Sequence, residues 1–130
     1  MIVVDASAVL EVLLNTPAAA RIAHRLFAEG ETLHAPHLLD LEVAEVLRRY
    51  ARTGELDARR GSQALDDLGD LPLVRYPHEI LLPRVWELRD NLTAYDAAYV
   101  ALAEALEARL LTRDAALAAR RVYRARVEVV

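Results

Sequence analysis

The chain alternates short apolar runs with longer stretches in which apolar residues recur every three or four positions. Short apolar runs bounded by turn residues are typical of buried strands. They predict strands over 2–5, 32–35, 73–76, 110–112 and 127–130. The three-to-four spacing is typical of helices with one buried face. It predicts helices over 6–14, 17–29, 38–52, 57–69, 79–89, 94–108 and 114–121. Short strands alternating with helices predict a parallel sheet covered by helices on both faces.

Size and composition narrow the class of protein further. A chain of 130 residues, 55% hydrophobic, predicts a single domain over 1–130 with one core. The absence of cysteine excludes disulfides, thiolate metal ligands and a cysteine nucleophile, and we therefore expect a cytoplasmic protein. No apolar stretch approaches the roughly 18 residues that a membrane span needs. All 16 basic residues are arginine, yet the net charge is −4, so non-specific nucleic-acid binding by a basic domain is not indicated.

Two acidic residues follow predicted strands directly. Asp5 ends the first apolar run, and Asp114 comes two residues after Leu110, Leu111 and Thr112. The carboxyl ends of parallel strands share one edge of the sheet, which is where ligands of open α/β sheets bind. Taken alone, each aspartate also fits a helix N-cap, because aspartate is among the preferred capping residues.

Two further acids lie on predicted helices. Glu42 falls on the flank of an apolar stripe, where pairing with a nearby arginine is the simplest explanation. Asp96 shares a helix face with Tyr99 and Val100, where an unpaired charge would cost several kcal/mol. Thr93 and Asp96 also fit a variant of the capping box, with the acid in the first turn.

The coincidence of these four acids at one sheet edge points beyond capping. Converging carboxylates repel one another, and a bound cation or a shared proton relieves the repulsion. Oxygen ligands without histidine or cysteine favour Mg²⁺ or Mn²⁺ over zinc. Such an ion, held by Asp5, Glu42, Asp96 and Asp114, could act on a phosphodiester.

Four segments carry a resemblance to a known family. The segments "VVDASAVLEVLL", "APHLLDLEVAEVLRR", "LRDNLTAYDAAYVALAEAL" and "LLTRDAALA" resemble the successive motifs of PIN-domain proteins, most closely the VapC-type toxins of toxin–antitoxin pairs. The resemblance implies a PIN-like three-layer α/β/α sandwich with a mostly parallel central sheet. It also implies a metal-dependent endoribonuclease with Mg²⁺ or Mn²⁺, an RNA substrate, a VapB-type antitoxin partner and a homodimer. Carried onto this chain, it makes Asp5, Glu42, Asp96 and Asp114 the catalytic, metal-binding set, with Ser7 and Thr112 as polar supports.

Arginines supply the candidate phosphate contacts. One cluster comprises Arg48, Arg49, Arg52, Arg59 and Arg60, and another comprises Arg120, Arg121, Arg124 and Arg126. Either cluster is a solvated face or a contact for RNA or an acidic antitoxin segment, because arginine binds phosphate and carboxylate alike. Arg89 and Arg113 lie close in sequence to the site acids, and we expect them to contact substrate phosphate.

Other function classes fit less well. A phosphoacceptor receiver domain is also parallel α/β with an acidic pocket, but this chain has no lysine to place beyond the acids. A D-x-D phosphatase is disfavoured because Ser7 occupies the second acidic position. The remaining alternative is a catalytically silent PIN-like module for binding or dimerisation. For the dimer surface we expect exposed apolar residues on the helices around Gly54: Leu56, Ala64, Leu65 and Leu68.

Overall fold

The computed structural model describes all 130 residues and contains one five-stranded sheet. Its strands are β1 (Ile2–Val4), β2 (Leu33–Pro36), β3 (Leu73–Tyr76), β4 (Arg109–Thr112) and β5 (Arg126–Val129). All four neighbouring pairs are parallel, in the order β3-β2-β1-β4-β5. The predicted sheet is confirmed, and it is parallel throughout rather than mostly so.

Seven α-helices connect and cover the strands. They are α1 (Ala6–Leu13), α2 (Ala19–Leu26), α3 (Leu38–Thr53), α4 (Ala58–Asp70), α5 (Leu82–Glu87), α6 (Ala94–Leu106) and α7 (Ala115–Ala119). The predicted helix over 79–89 is in fact a 3₁₀ turn, Glu79–Leu81, followed by α5. Pro83 lies in the first turn of α5, where its missing N–H leaves no hydrogen bond broken.

Strand order reverses between β1 and β4. The chain runs outward from β1 to β2 and β3, then returns to β4 on the other side of β1 and ends at β5. Because parallel crossovers are right-handed, the reversal places α1–α4 on one face of the sheet and α5–α7 on the other. The three-layer prediction is therefore confirmed. Ligand crevices of such sheets lie at the reversal, beyond the carboxyl ends of β1 and β4.

The core lies where the central strands meet the helices. Val3 and Val4 of β1 and Leu110 and Leu111 of β4 are completely buried, which fits the β-branched and aliphatic runs that predicted them. Helix α3 ends at Gly54 in the left-handed conformation, φ 79°, where a residue without a Cβ avoids strain. No helix combines the length and apolar composition needed to cross a membrane.

The prediction of an exposed apolar surface around Gly54 is wrong in part. Ala64 and Leu68 are buried, at 0% and 3% exposure, and Leu56 is partly buried, so only Leu65 is exposed. Positions 64 and 68 lie one helical turn apart and face α3, whereas Leu65 is rotated about 100° toward solvent. Other large apolar side chains are more exposed than Leu65, among them five on α3, the 3₁₀ turn, α5 and the start of α6: Leu41, Ile80, Leu82, Trp86 and Tyr95.

Candidate active site

A cleft of about 540 Å³ opens at the strand reversal, a volume within the range of small-ligand sites. All four predicted acids line it: Asp5, Glu42, Asp96 and Asp114. Ser7 and Arg113 also line it, and Thr112 lies fully buried at the end of β4. The fold thus brings together residues from β1, α3, α6 and the β4–α7 junction.

Asp5 is a helix cap and the most tightly held of the acids. Its Oδ1 accepts hydrogen bonds from Ser7 Oγ at 2.6 Å and from the N–H of Ala8 at 3.3 Å, and its Oδ2 accepts one from Thr112 Oγ1. Burial raises the pKa of Asp5, and the hydrogen bonds from Ser7, Thr112 and the α1 backbone only partly oppose that rise. Its carboxyl group is therefore fixed in orientation and more basic than an exposed aspartate.

Ser7 and Thr112 tie the ends of β1 and β4 together. Thr112 Oγ1 donates to Asp5 and accepts from the N–H of Asp114 at 3.0 Å. Ser7 Oγ donates to Asp5 and accepts from the N–H of Arg113 at 2.9 Å. Each hydroxyl thus acts as both donor and acceptor, which sets the position of Asp5 relative to Asp114. This geometry fits the supporting role that the resemblance implies for both hydroxyls.

Glu42 depends on a partner that sequence reasoning did not identify as functional. The hydroxyl of Tyr99, on α6, donates to Glu42 Oε1 at 2.5 Å and so joins α6 to α3 across the sheet edge. Burial, together with the charges of Asp5 and Asp96, raises the pKa of Glu42, while the Tyr99 hydrogen bond lowers it. Burial first and then Glu42 also raise the pKa of Tyr99, so this hydroxyl keeps its proton. The available signal was that Tyr99 lies one turn after Asp96 on the same helix face.

Asp96 lies in the first turn of α6 and makes half of the predicted capping box. Thr93 is the N-cap, and its Oγ1 accepts a hydrogen bond from the N–H of Asp96 at 3.1 Å. Burial and then the charge of Asp114 raise the pKa of Asp96, against a smaller opposing effect of Arg120. The capping explanation accounts for the backbone of this residue but not for its side chain facing three other carboxylates.

Asp114 is the exposed member of the set and caps α7. Its Oδ1 accepts from the N–H groups of Ala116 at 2.9 Å and Leu117 at 3.2 Å. The capping interpretation is therefore correct for both Asp5 and Asp114. Capping and ligand binding are compatible here, because Oδ2 of Asp114 makes no hydrogen bond and remains free to bind a ligand.

None of the four predicted acids forms a salt bridge, although seven other acids do, including Glu11 and Glu45 of the same cleft. The paired acids are Glu11, Glu31, Asp40, Glu45, Glu87, Glu104 and Glu128. The predicted pairing of Glu42 with an arginine is therefore wrong. Negative charge left unpaired in a partly buried cleft attracts cations, since burial weakens screening by water.

The donor set fits a hydrated divalent cation. Glu42 Oε2 and Asp114 Oδ2 accept no hydrogen bond, and the Asp96 carboxylate has only the Thr93 hydroxyl as a hydrogen-bonding neighbour. No group of three acidic or histidine side chains is arranged to hold an ion by itself. Mg²⁺ keeps several of its waters and binds through one or two carboxylates, so an open arrangement of oxygens suits it better than a closed cage.

The predicted phosphate-binding arginines lie in different places. Arg113 lines the cleft, where its Nε is 3.4 Å from Glu11 Oε1 and its Nη1 donates to the carbonyl of Val130 at 2.6 Å. Arg89 is outside the cleft lining and stacks on Trp86, with its guanidinium carbon 4.6 Å from the ring centroid. Arg49 also lines the cleft and was identified from sequence only as part of an arginine cluster.

The fold and the site define an α/β protein with an acidic, cation-attracting cleft at the strand reversal of a parallel sheet. Residues 2–123 match the PIN domain family, and the chain belongs to that family. It is 51% identical to ribonuclease VapC9 of Mycobacterium tuberculosis over 114 residues, which cover 88% of this chain and 86% of that protein. The predicted family is thereby confirmed.

Solved structures agree with the fold. The crystal structure of PAE2754 from Pyrobaculum aerophilum has a TM-score of 0.70 and 29% identity, covering 98% of this chain and 83% of that one. VapBC2 from Rickettsia felis, solved bound to a DNA fragment from their promoter, has a TM-score of 0.71 and 15% identity, covering 99% and 98%. At that identity the second likeness establishes the fold alone.

Proposed function

We propose that this chain is a divalent-metal-dependent endoribonuclease and the toxin of a VapBC-type toxin–antitoxin pair. The observation that carries the proposal is a set of four carboxylates in one cleft, Asp5, Glu42, Asp96 and Asp114, none of which forms an ion pair, in a chain 51% identical to a VapC ribonuclease. Capping accounts for the backbone contacts of Asp5 and Asp114, but the mutual repulsion of four unpaired carboxylates destabilises the folded state, so stability does not explain the set as a whole. They suit a site that receives a cation and a phosphodiester.

Asp96 and Asp114 would hold Mg²⁺ or Mn²⁺ through their free oxygens, and Glu42 and Asp5 would add negative charge around it. When bound, the ion supplies positive charge to the phosphodiester and makes an attacking water easier to deprotonate. Tyr99 occupies Oε1 of Glu42 and thereby leaves Oε2 to accept a proton from that water. Burial and neighbouring charges raise the pKa of Glu42, which makes it a better proton acceptor than an exposed glutamate.

Partners follow from the same assignment. Arg113, held by Glu11 and Val130, is the side chain we propose for a substrate phosphate, while the predicted role of Arg89 has no support from its position on Trp86. A VapB-type antitoxin is proposed as the inhibitory partner on the strength of the VapC relatives. The homodimer and the cytoplasmic location stay predictions.

A cleavage assay decides between an enzyme and the silent PIN-like module. Purified protein is incubated with end-labelled RNA in Mg²⁺, in Mn²⁺ and in EDTA, and the fragments are resolved on a gel. We expect internal cleavage that requires metal, abolished by Asp96→Asn. The matched control is Asp67→Asn, an exposed aspartate of α4 without partners, which should remain active.

Each contrary result has a distinct meaning. Full activity of Asp96→Asn would refute the metal-site assignment while leaving the nuclease proposal in place. A folded wild-type protein that cleaves no RNA in either metal would favour the silent module. Circular dichroism of every variant separates loss of activity from loss of folding.

A further inference from the structure

A second hollow adjoins the acidic cleft. It measures about 450 Å³ and is lined by Leu14, Tyr50, Glu55, Leu56 and Arg60. Tyr50 lines both the hollow and the cleft, so the two adjoin at its side chain, and together they are called the groove below. The groove runs along α3, from the acids toward the turn after Gly54.

Tyr50 has a partly exposed aromatic ring in this groove. The residue is 37% exposed, and its hydroxyl forms no hydrogen bond within the chain. Leu14 and Leu56, which also line the hollow, are only partly buried. An exposed aromatic ring with apolar neighbours offers a flat surface for stacking, and its hydroxyl is not needed by the fold.

Two arginines flank the ring. Arg49 lines the cleft, is exposed and forms no salt bridge or hydrogen bond, whereas the preceding Arg48 makes a two-pronged pair with Glu45. Arg60 lies in the hollow, where its Nη2 donates to the carbonyl of Leu13 at the end of α1. The one carboxylate of the hollow, Glu55, accepts a hydrogen bond from Thr53 at 3.2 Å. Arg49 is therefore the free cation beside the four acids.

From this arrangement we propose that Tyr50 stacks on an unpaired RNA base next to the scissile phosphate, and that Arg49 binds the adjoining phosphate. The proposal rests on the proposed ribonuclease function. Single-stranded RNA is recognised largely by stacking of splayed bases on aromatic side chains, combined with backbone contacts from arginine. The hollow adjoins the acidic cleft at Tyr50, so it offers a path for a nucleotide next to one held at the acids. A free arginine there offsets the repulsion between RNA and carboxylates.

A double-mutant cycle between protein and RNA tests the stacking. A set of oligonucleotides carries one abasic nucleotide at successive positions around the cleavage site, and each is cleaved by wild type, Tyr50→Phe and Tyr50→Ala. We expect Tyr50→Ala to lower kcat/KM roughly 5- to 100-fold, mainly through KM, and Tyr50→Phe to behave as wild type. At one position, removing the base should lower kcat/KM of the wild type by the same factor. At that position, it should cause no further decrease in Tyr50→Ala.

Controls separate stacking from general damage. Tyr95→Ala removes another exposed tyrosine, one that lies outside the groove, and should leave kcat/KM unchanged. Arg49→Ala should raise KM and lessen its dependence on salt, whereas Arg52→Ala, on the same helix but outside the groove, should do neither. If Tyr50→Ala melts far below wild type, Tyr50→Leu replaces it, since leucine keeps apolar packing without an aromatic ring.

The outcomes distinguish failure of the stacking proposal from failure of the ribonuclease function on which it rests. Additive effects at every abasic position, or unchanged RNA kinetics in all Tyr50 variants, would overturn the stacking and leave the groove to a protein partner. If the wild type cleaves no RNA, the nuclease proposal fails. Fluorescence anisotropy of the same labelled oligonucleotides then measures binding. If wild type and Tyr50→Ala show no difference in their preference for a base at any position, the stacking proposal alone is overturned.

Discussion

Replacing Tyr99 by phenylalanine isolates the hydrogen bond that holds Glu42. The substitution keeps the buried ring, which is 3% exposed, and removes only the hydroxyl that donates to Glu42 Oε1 at 2.5 Å. A hydrogen bond to a charged group contributes about 1.5–3 kcal/mol, against about 0.5–1.5 kcal/mol for a neutral pair. Glu42 is half-buried, so we take about 2 kcal/mol while it is ionised and about 1 kcal/mol while it is protonated.

The loss should therefore depend on pH. Burial and neighbouring charges raise the folded-state pKa of Glu42 above its unfolded value, so its contribution to stability is complete at low pH and is lost as pH rises through the raised value. The Tyr99 hydrogen bond lowers the pKa of Glu42, so removing the hydroxyl raises that pKa further and enlarges the loss of stability at neutral pH. At roughly 4 °C per kcal/mol for a domain of this size, Tm should fall by about 8 °C at pH 7 and about 4 °C at pH 4.

Thermal unfolding followed by circular dichroism in EDTA measures this directly. The matched control is Tyr123→Phe, which removes a hydrogen bond of 2.5 Å to the neutral carbonyl of Leu117. Its effect on Tm should be the same at both pH values. Equal shifts for Tyr99→Phe at pH 4 and pH 7, or no shift at all, would mean that this hydroxyl does not stabilise an ionised Glu42.

Three further predictions concern the metal, the cap and assembly. Mg²⁺ or Mn²⁺ at a hundredfold excess over its dissociation constant should stabilise the wild type by about 2.7 kcal/mol. The double variant Asp5→Asn with Asp96→Asn should melt higher than wild type in EDTA and gain little from metal; equal metal shifts in both proteins would contradict a shared site. Asp114→Ala should cost about 1 kcal/mol through loss of the α7 cap, whereas Asp114→Asn should keep stability and lose cleavage. Light scattering should give twice the chain mass of 14.5 kDa, and a value of one chain mass at working concentration would exclude the homodimer.

Local pattern was sufficient to predict the elements and the edge at which the acids meet. Short apolar runs became the buried strands β1, β2 and β4 because both faces of the sheet centre are covered, and Gly54 ended α3 because glycine adopts that φ without strain. Asp5 and Asp114 could be placed from sequence because each directly follows a strand, and parallel strands end at a common edge. The capping roles of both residues were predictable for the same reason.

Contacts between distant segments needed the tertiary structure. Tyr99 and Glu42 are 57 positions apart, and Arg113 meets Glu11 and Val130 through three different elements, so no local spacing encodes these pairs. Burial around Gly54 depended on how α4 rotates against α3, which one helix's pattern cannot specify when several of its apolar positions are adjacent. Sequence thus determined which residues form strands, helices and caps, because those depend on neighbours along the chain. Only the folded structure decided which charges stay unpaired, because pairing depends on distances that the packing of helices on both faces of the sheet creates.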